Sequence, residues 1–161
     1  MENKQEKKLK LLVFPVGKLT LSIPVEDVKK VINLPELHGS GQNYIYIAHG
    51  DNQEIAVIDL YQKLFNSSAI SNSEDHETYL VIAQNTMDEE YGIIVKETPT
   101  IIDVPLSEVR MLPPSYRNSD TLEIASHVTV IPRENGEKLT IFILDSDQLL
   151  TEQLNQLTFS A

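Results

Sequence analysis

Few side chains in this sequence are of a type and spacing that could do chemistry. Four histidines occur, His38, His49, His76 and His127, and none is spaced with another histidine or a glutamate as on a metal-binding helix. Cysteine is absent, which removes disulfides, thiolate catalysis and cysteine-ligated metal centres. Gly39-Ser40-Gly41 lacks the flanks of a nucleophile elbow, and no Gly-x-x-x-x-Gly-Lys run can cradle a phosphate. Asp59 ends an apolar run, as the acceptor aspartate of a phosphorelay receiver does, and Asp145 takes the same place further on. Each is followed at +3 by a glutamine, Gln62 or Gln148, so the pair reads better as helix N-caps in capping-box arrangements. No catalytic residue, metal ligand or cofactor is expected.

The elements that would carry these residues are mostly strands. Leu11-Leu12-Val13-Phe14-Pro15-Val16 has strand length, Gly17-Lys18 can turn the chain, and Leu19, Leu21 and Ile23 alternate with Thr20 and Ser22. That is a hairpin. Pro24 ends it, and Val25, Val28 and Ile32 at near-helical spacing predict one or two helical turns. Tyr44-Ile45-Tyr46-Ile47 and Glu54–Ile58 read as strands, the second passing directly into a helix that begins at Asp59. Residues 66–77 are polar and predict a mobile linker.

Beyond that linker the pattern starts again. Thr78–Ala83 and Tyr91–Val95 form a second hairpin, Leu106–Met111 a short helical turn, and Thr121–Val130 a strand. The strand Leu139–Leu144 then runs into Asp145-Ser146-Asp147-Gln148. A repeated hairpin and a repeated strand-to-capped-helix ending predict two similar β-rich halves. Leu150, Leu154 and Leu157 give a helix over 145–158 one apolar stripe.

The 161 residues carry a formal charge of −11. Residues 1–10 hold four lysines against two glutamates and read as a basic, solvated leader. An acidic body repels phosphates, so nucleic acid is not an expected partner. No apolar run reaches the roughly 18 residues of a membrane span, and the N-terminus lacks a signal peptide's apolar stretch. Membrane insertion is not expected, and a cytoplasmic location is.

Taken in order, the Phe14 hairpin, the Val25–Ile32 turn, Ile55-Ala56-Val57-Ile58-Asp59-Leu60, Tyr91-Gly92-Ile93-Ile94-Val95 and Ile143-Leu144-Asp145 to Leu150 resemble the CheW family of chemotaxis adaptors over roughly residues 10 to 152. The resemblance implies a mainly β fold of two small five-stranded, SH3-like β-barrels with short helices and a groove between them. It would divide the chain into a first barrel over about 11–65 and a second over about 78–150, with strand exchange possible. It also implies no enzymatic activity. Partners would be methyl-accepting chemotaxis-type receptors and the regulatory domain of a CheA-type histidine kinase, and the chain would be recruited to receptor arrays.

Two motifs depart from the family's pattern. Ile47-Ala48-His49-Gly50 stands where the family has Asn-Leu-Arg-Gly, so a histidine replaces an arginine's fixed charge and five-donor fork. Val28-Lys29-Lys30-Val31 stands for Val-x-Glu-Ile, exchanging an acid for a lysine. Position by position, the resemblance assigns Val28, Lys30, Val31 and His49 to partner binding. Tyr44 and Tyr46 join them as an outward-facing strand pair of an interface-favoured type. An altered receptor, in a phototaxis or pilus-motility pathway, is the expected consequence. The rival expectation is a ligand-binding barrel or enzyme in which His49 or His127 does acid–base work.

Overall fold

Leu11, Leu12, Val13 and Phe14 are buried in unbroken succession, which is possible only for a strand covered on both faces. The computed structural model of the chain describes residues 7–50, 53–65, 78–113, 115 and 123–149. It places that run in β1 (Lys8–Val16), paired antiparallel with β2 (Leu19–Pro24). Gly17 supplies the tight turn at φ +60°, a conformation that side chains with a Cβ rarely adopt.

After β2 a single 3-10 turn covers Val25–Asp27, and β3 follows over Val28–Asn33. The helical spacing of Val25, Val28 and Ile32 therefore holds for that one turn only. Val28, Val31 and Ile32 are β-branched and find cross-strand partners in Ala83, Val81 and Leu80, which favours the extended form. The chain continues through β4 (His38–Gly39), β5 (Ile45–His49) and β6 (Glu54–Ile58) into the helix α1 (Leu60–Phe65). Then come β7 (Tyr79–Gln84), β8 (Glu90–Val95) and β9 (Thr100–Pro105). A second 3-10 turn at Leu106–Glu108 precedes β10 (Arg110–Met111). The expected helical turn over 106–111 is thus shortened by a strand at its end. β11 (Ala125–Pro132) and β12 (Lys138–Leu144) complete the described strands.

Among the described residues these strands form two six-stranded sheets, ordered β10-β11-β12-β2-β1-β9 and β3-β7-β8-β6-β5-β4. Each includes a two-residue edge strand, β10 or β4, beyond the five strands expected. The two orders match position for position. β1 and β2 hold in one sheet the places that β7 and β8 hold in the other. Each opening hairpin is inserted beside the strands of the opposite half, through the parallel pairs β12–β2 and β6–β8. Ser22 reinforces the first of these by donating its hydroxyl to the Phe142 carbonyl at 3.1 Å.

One core runs across both sheets, joining Leu12, Phe14, Leu21 and Ile23 to Val57, Leu80, Tyr91 and Ile93. A smaller core under β1, β9 and β12 holds Leu11, Val13, Val104, Ile141 and Ile143. Asp59 caps α1 by accepting from the Gln62 amide at 3.2 Å, while its own amide donates to the Tyr44 carbonyl at 2.9 Å. Asp145 does the same for the helical start at 146–149, accepting from Asp147 and Gln148 amides while donating to the Ile124 carbonyl. The caps are as expected, but neither aspartate amide is answered by the glutamine of a capping box. The leucine stripe at 150–157, the linker at 66–77 with His76, and residues 1–6 of the leader lie outside the described residues.

Candidate partner-binding groove

The curl of the second sheet sets β3 and β7 across from β5 and β6, leaving an open groove of about 460 Å³. Its floor follows from strand alternation. Leu80 and Ile82 on β7, Ile55 on β6 and Ala48 on β5 are buried, with Ile32 of β3 half-buried beside them. The cross-strand register explains the grouping, because Lys30 stands opposite Ile82 and Ile32 opposite Leu80. Polar groups form the rim, namely Lys30, His49, Gln53 and Glu90. Glu90 is held there by Lys29 Nζ at 3.6 Å and by Gln53 Nε2, which donates to its Oε2 at 2.8 Å.

Of the six residues singled out in the sequence, the groove brings together two, Lys30 and His49. Lys30 lies on the edge strand β3 and His49 on β5, four places along the sheet order, so only its curl makes them neighbours of one cavity. Val28 is half-buried and packs against the large core. Val31, 39% exposed, sits one residue from Lys30 and so on the other face of the edge strand β3.

The tyrosines take a different role from the one expected. Tyr44 and Tyr46 are half-buried against the core and against α1, so they do not form a free outward pair. Lys63 Nζ stands 4.6 Å over the Tyr44 ring, and Tyr46 Oη donates to Gln62 Oε1 at 3.4 Å. Both rings serve to seat the helix. Gln53 and Glu90 were missed, since nothing local in the sequence marks either as a rim residue. The alternation of Leu80 and Ile82 was the available signal for the floor.

A second cleft of about 440 Å³ lies near the seam of the two halves, lined by Leu9, Leu106, Ile143 and His127 with Asp27, Asp145 and Asp147. Its polar contacts are structural. Asp147 accepts from the Thr86 amide at 3.0 Å and from its hydroxyl at 2.8 Å, tying the β7–β8 turn to the helical start at 146–149. His127 Nδ1 is 2.7 Å from Ser126 Oγ, a contact between chain neighbours. Burial raises the Asp27 carboxyl above its ordinary range, and the charges of Glu26 and Asp147 add to it.

Two joined β-sheets, an open apolar groove with a mixed-charge rim, and exposed strand edges define a binding module. Sequence comparison agrees with that class. The pattern of the CheW-like domain matches residues 10–154, and the chain belongs to that family. In structure it is similar to the scaffolding protein TtCheW of Thermoanaerobacter tengcongensis, with a TM-score of 0.67 at 15% identity, covering 90% of this chain and 89% of that one. No curated protein matches it in sequence.

Proposed function

We propose that this chain is a non-enzymatic adaptor that couples methyl-accepting-type receptors to the regulatory domain of a CheA-type histidine kinase. Membership of the CheW-like family supports the class. The observation that carries the reading is the groove itself. Lys30 and His49, the two charge-changing departures from the family's partner-contact motifs, line it together. An apolar floor under a charged rim suits an amphipathic segment, whose apolar side chains fill the floor while polar groups at the rim set register. With a lysine for an acid and a histidine for an arginine, the rim favours a receptor of altered charge, as in a phototaxis or pilus-motility pathway. Among the described residues no helix is long and apolar enough to cross a membrane, and the adaptor works on the cytoplasmic side of receptor arrays.

The test is recovery of the partners. Folded chain, immobilised at low salt in native cell extract, should retain a CheA-type kinase, and Lys30→Glu should weaken retention of the receptor more than that of the kinase. Folded bait that recovers neither kinase nor receptor would overturn the proposal.

A further inference from the structure

His38 and His49 are eleven positions apart in sequence, and the adaptor reading makes no use of their pairing in space. β4 and β5 pair with His38 opposite Ile47, so His49, two residues on, lies diagonally across on the same face. Their ring centres are 5.0 Å apart, with planes inclined at 70°. Directly opposite His49 on β6 stands Glu54, with its Oε1 3.9 Å from His49 Nδ1. All three residues are exposed, so burial does not account for the contact between the imidazoles.

The rings meet edge to face, and their centre-to-centre spacing also suits a chelate. Two imidazoles bound to one tetrahedral ion, at a Zn–N distance of about 2.0–2.1 Å, place their ring centres roughly 5.2 Å apart. A carboxylate that accepts from Nδ1 orients a ligating imidazole and leaves Nε2 for the metal; at 3.9 Å Glu54 stands just beyond that hydrogen bond and would close it on binding of the ion. Among the described residues no three metal-ligating side chains gather as a complete site, so the protein supplies two ligands.

We propose that His38 and His49 form a two-point chelate for a divalent transition-metal ion of the zinc class, with Glu54 orienting His49. The remaining coordination positions fall to water or to a donor on a docked partner. His49 also lines the groove, so the ion would bring positive charge to its rim. The site stands on its own geometry, whether or not the groove binds a receptor.

Tag-free, chelator-stripped full-length chain is titrated with zinc chloride in a calorimeter, alongside His38→Ala, His49→Ala, His76→Ala and His127→Ala. One ion per chain is expected, with affinity lowered at least about tenfold by each of the first two substitutions and unchanged by the last two. Circular dichroism confirms that the variants are folded. The absence of saturable binding below about 1 mM zinc would overturn the site. So would binding that His76→Ala or His127→Ala weakens while His38→Ala and His49→Ala leave it intact.

Discussion

Thr129 illustrates how one polar atom can oppose the fold around it. The residue is 1% exposed, and its Oγ1 has no hydrogen-bond partner among the described residues. A buried hydroxyl left unpaired costs its desolvation, whereas an apolar group of the same shape does not. Thr129→Val should therefore raise unfolding stability by about 1 kcal/mol in urea titration; a loss of stability would contradict the unpaired state. Tyr91 is buried, which pushes its phenol up to about 12, with Ser146 as its hydrogen-bond partner opposing the shift. In the unfolded chain the phenol ionises near 10. Between about pH 10 and 12 the unfolded state thus sheds a proton that the folded state keeps, and stability falls as pH rises through that window. Tyr91→Phe should remove this part of the alkaline decline. Asp27, also raised, acts at the other end: its contribution is present at low pH and lost as pH rises through its folded value. Asp27→Asn should accordingly stabilise the chain at pH 7, as measured by thermal melting. The sequence did not reveal these burdens, because each arises chiefly from burial by segments distant in the chain. It did single out Lys30 and His49 by their departure from a family motif, and both line the groove.

At the level of elements, strand-to-helix junctions were the most legible feature, because capping is local. Asp145 accepts two amide hydrogens at the helical start, at 3.1 and 3.2 Å. Asp145→Ala should cost about 1 kcal/mol of stability, with Asp145→Asn close to neutral. Gly92 in β8 answers to packing. A Cβ there would lie 2.7 Å from Leu80 Cδ1 and 3.3 Å from Val57 Cγ2, inside the core. Gly92→Ala should destabilise by roughly 1–3 kcal/mol, since room must be made between packed strands. β3 was the element misread. Val25, Val28 and Ile32 satisfy a helical period, yet the antiparallel partner β7 that decides for a strand is supplied some fifty residues later. Tyr44 and Tyr46 were misread for a similar reason. Strand alternation gives which side they share, while the docking of α1, through Lys63 and Gln62, decides that this side is covered.

For the whole molecule, the repeat of hairpin and capped-helix ending was readable, and it corresponds to two sheets of matching strand order. The exchange of hairpins gives no local signature, since β2 and β8 present the same apolar residues whichever half they join. Its consequence is that the larger core crosses both sheets, from Phe14 and Ile23 to Ile93 and Leu144. The two halves should therefore unfold in one cooperative step, with coincident fluorescence and circular-dichroism transitions. Joined in this way, the sheets suit the proposed adaptor role, in which surfaces are presented and no bond is made. That claim is tested most directly at the groove, by calorimetric titration of the folded chain with the cytoplasmic domain of the methyl-accepting-type receptor proposed as its partner, comparing wild type with Lys30→Glu. The account predicts saturable binding without turnover, and a loss of at least about tenfold in the variant, equivalent to roughly 1.4 kcal/mol, at an unchanged melting temperature. Equal affinity of the two proteins would contradict it.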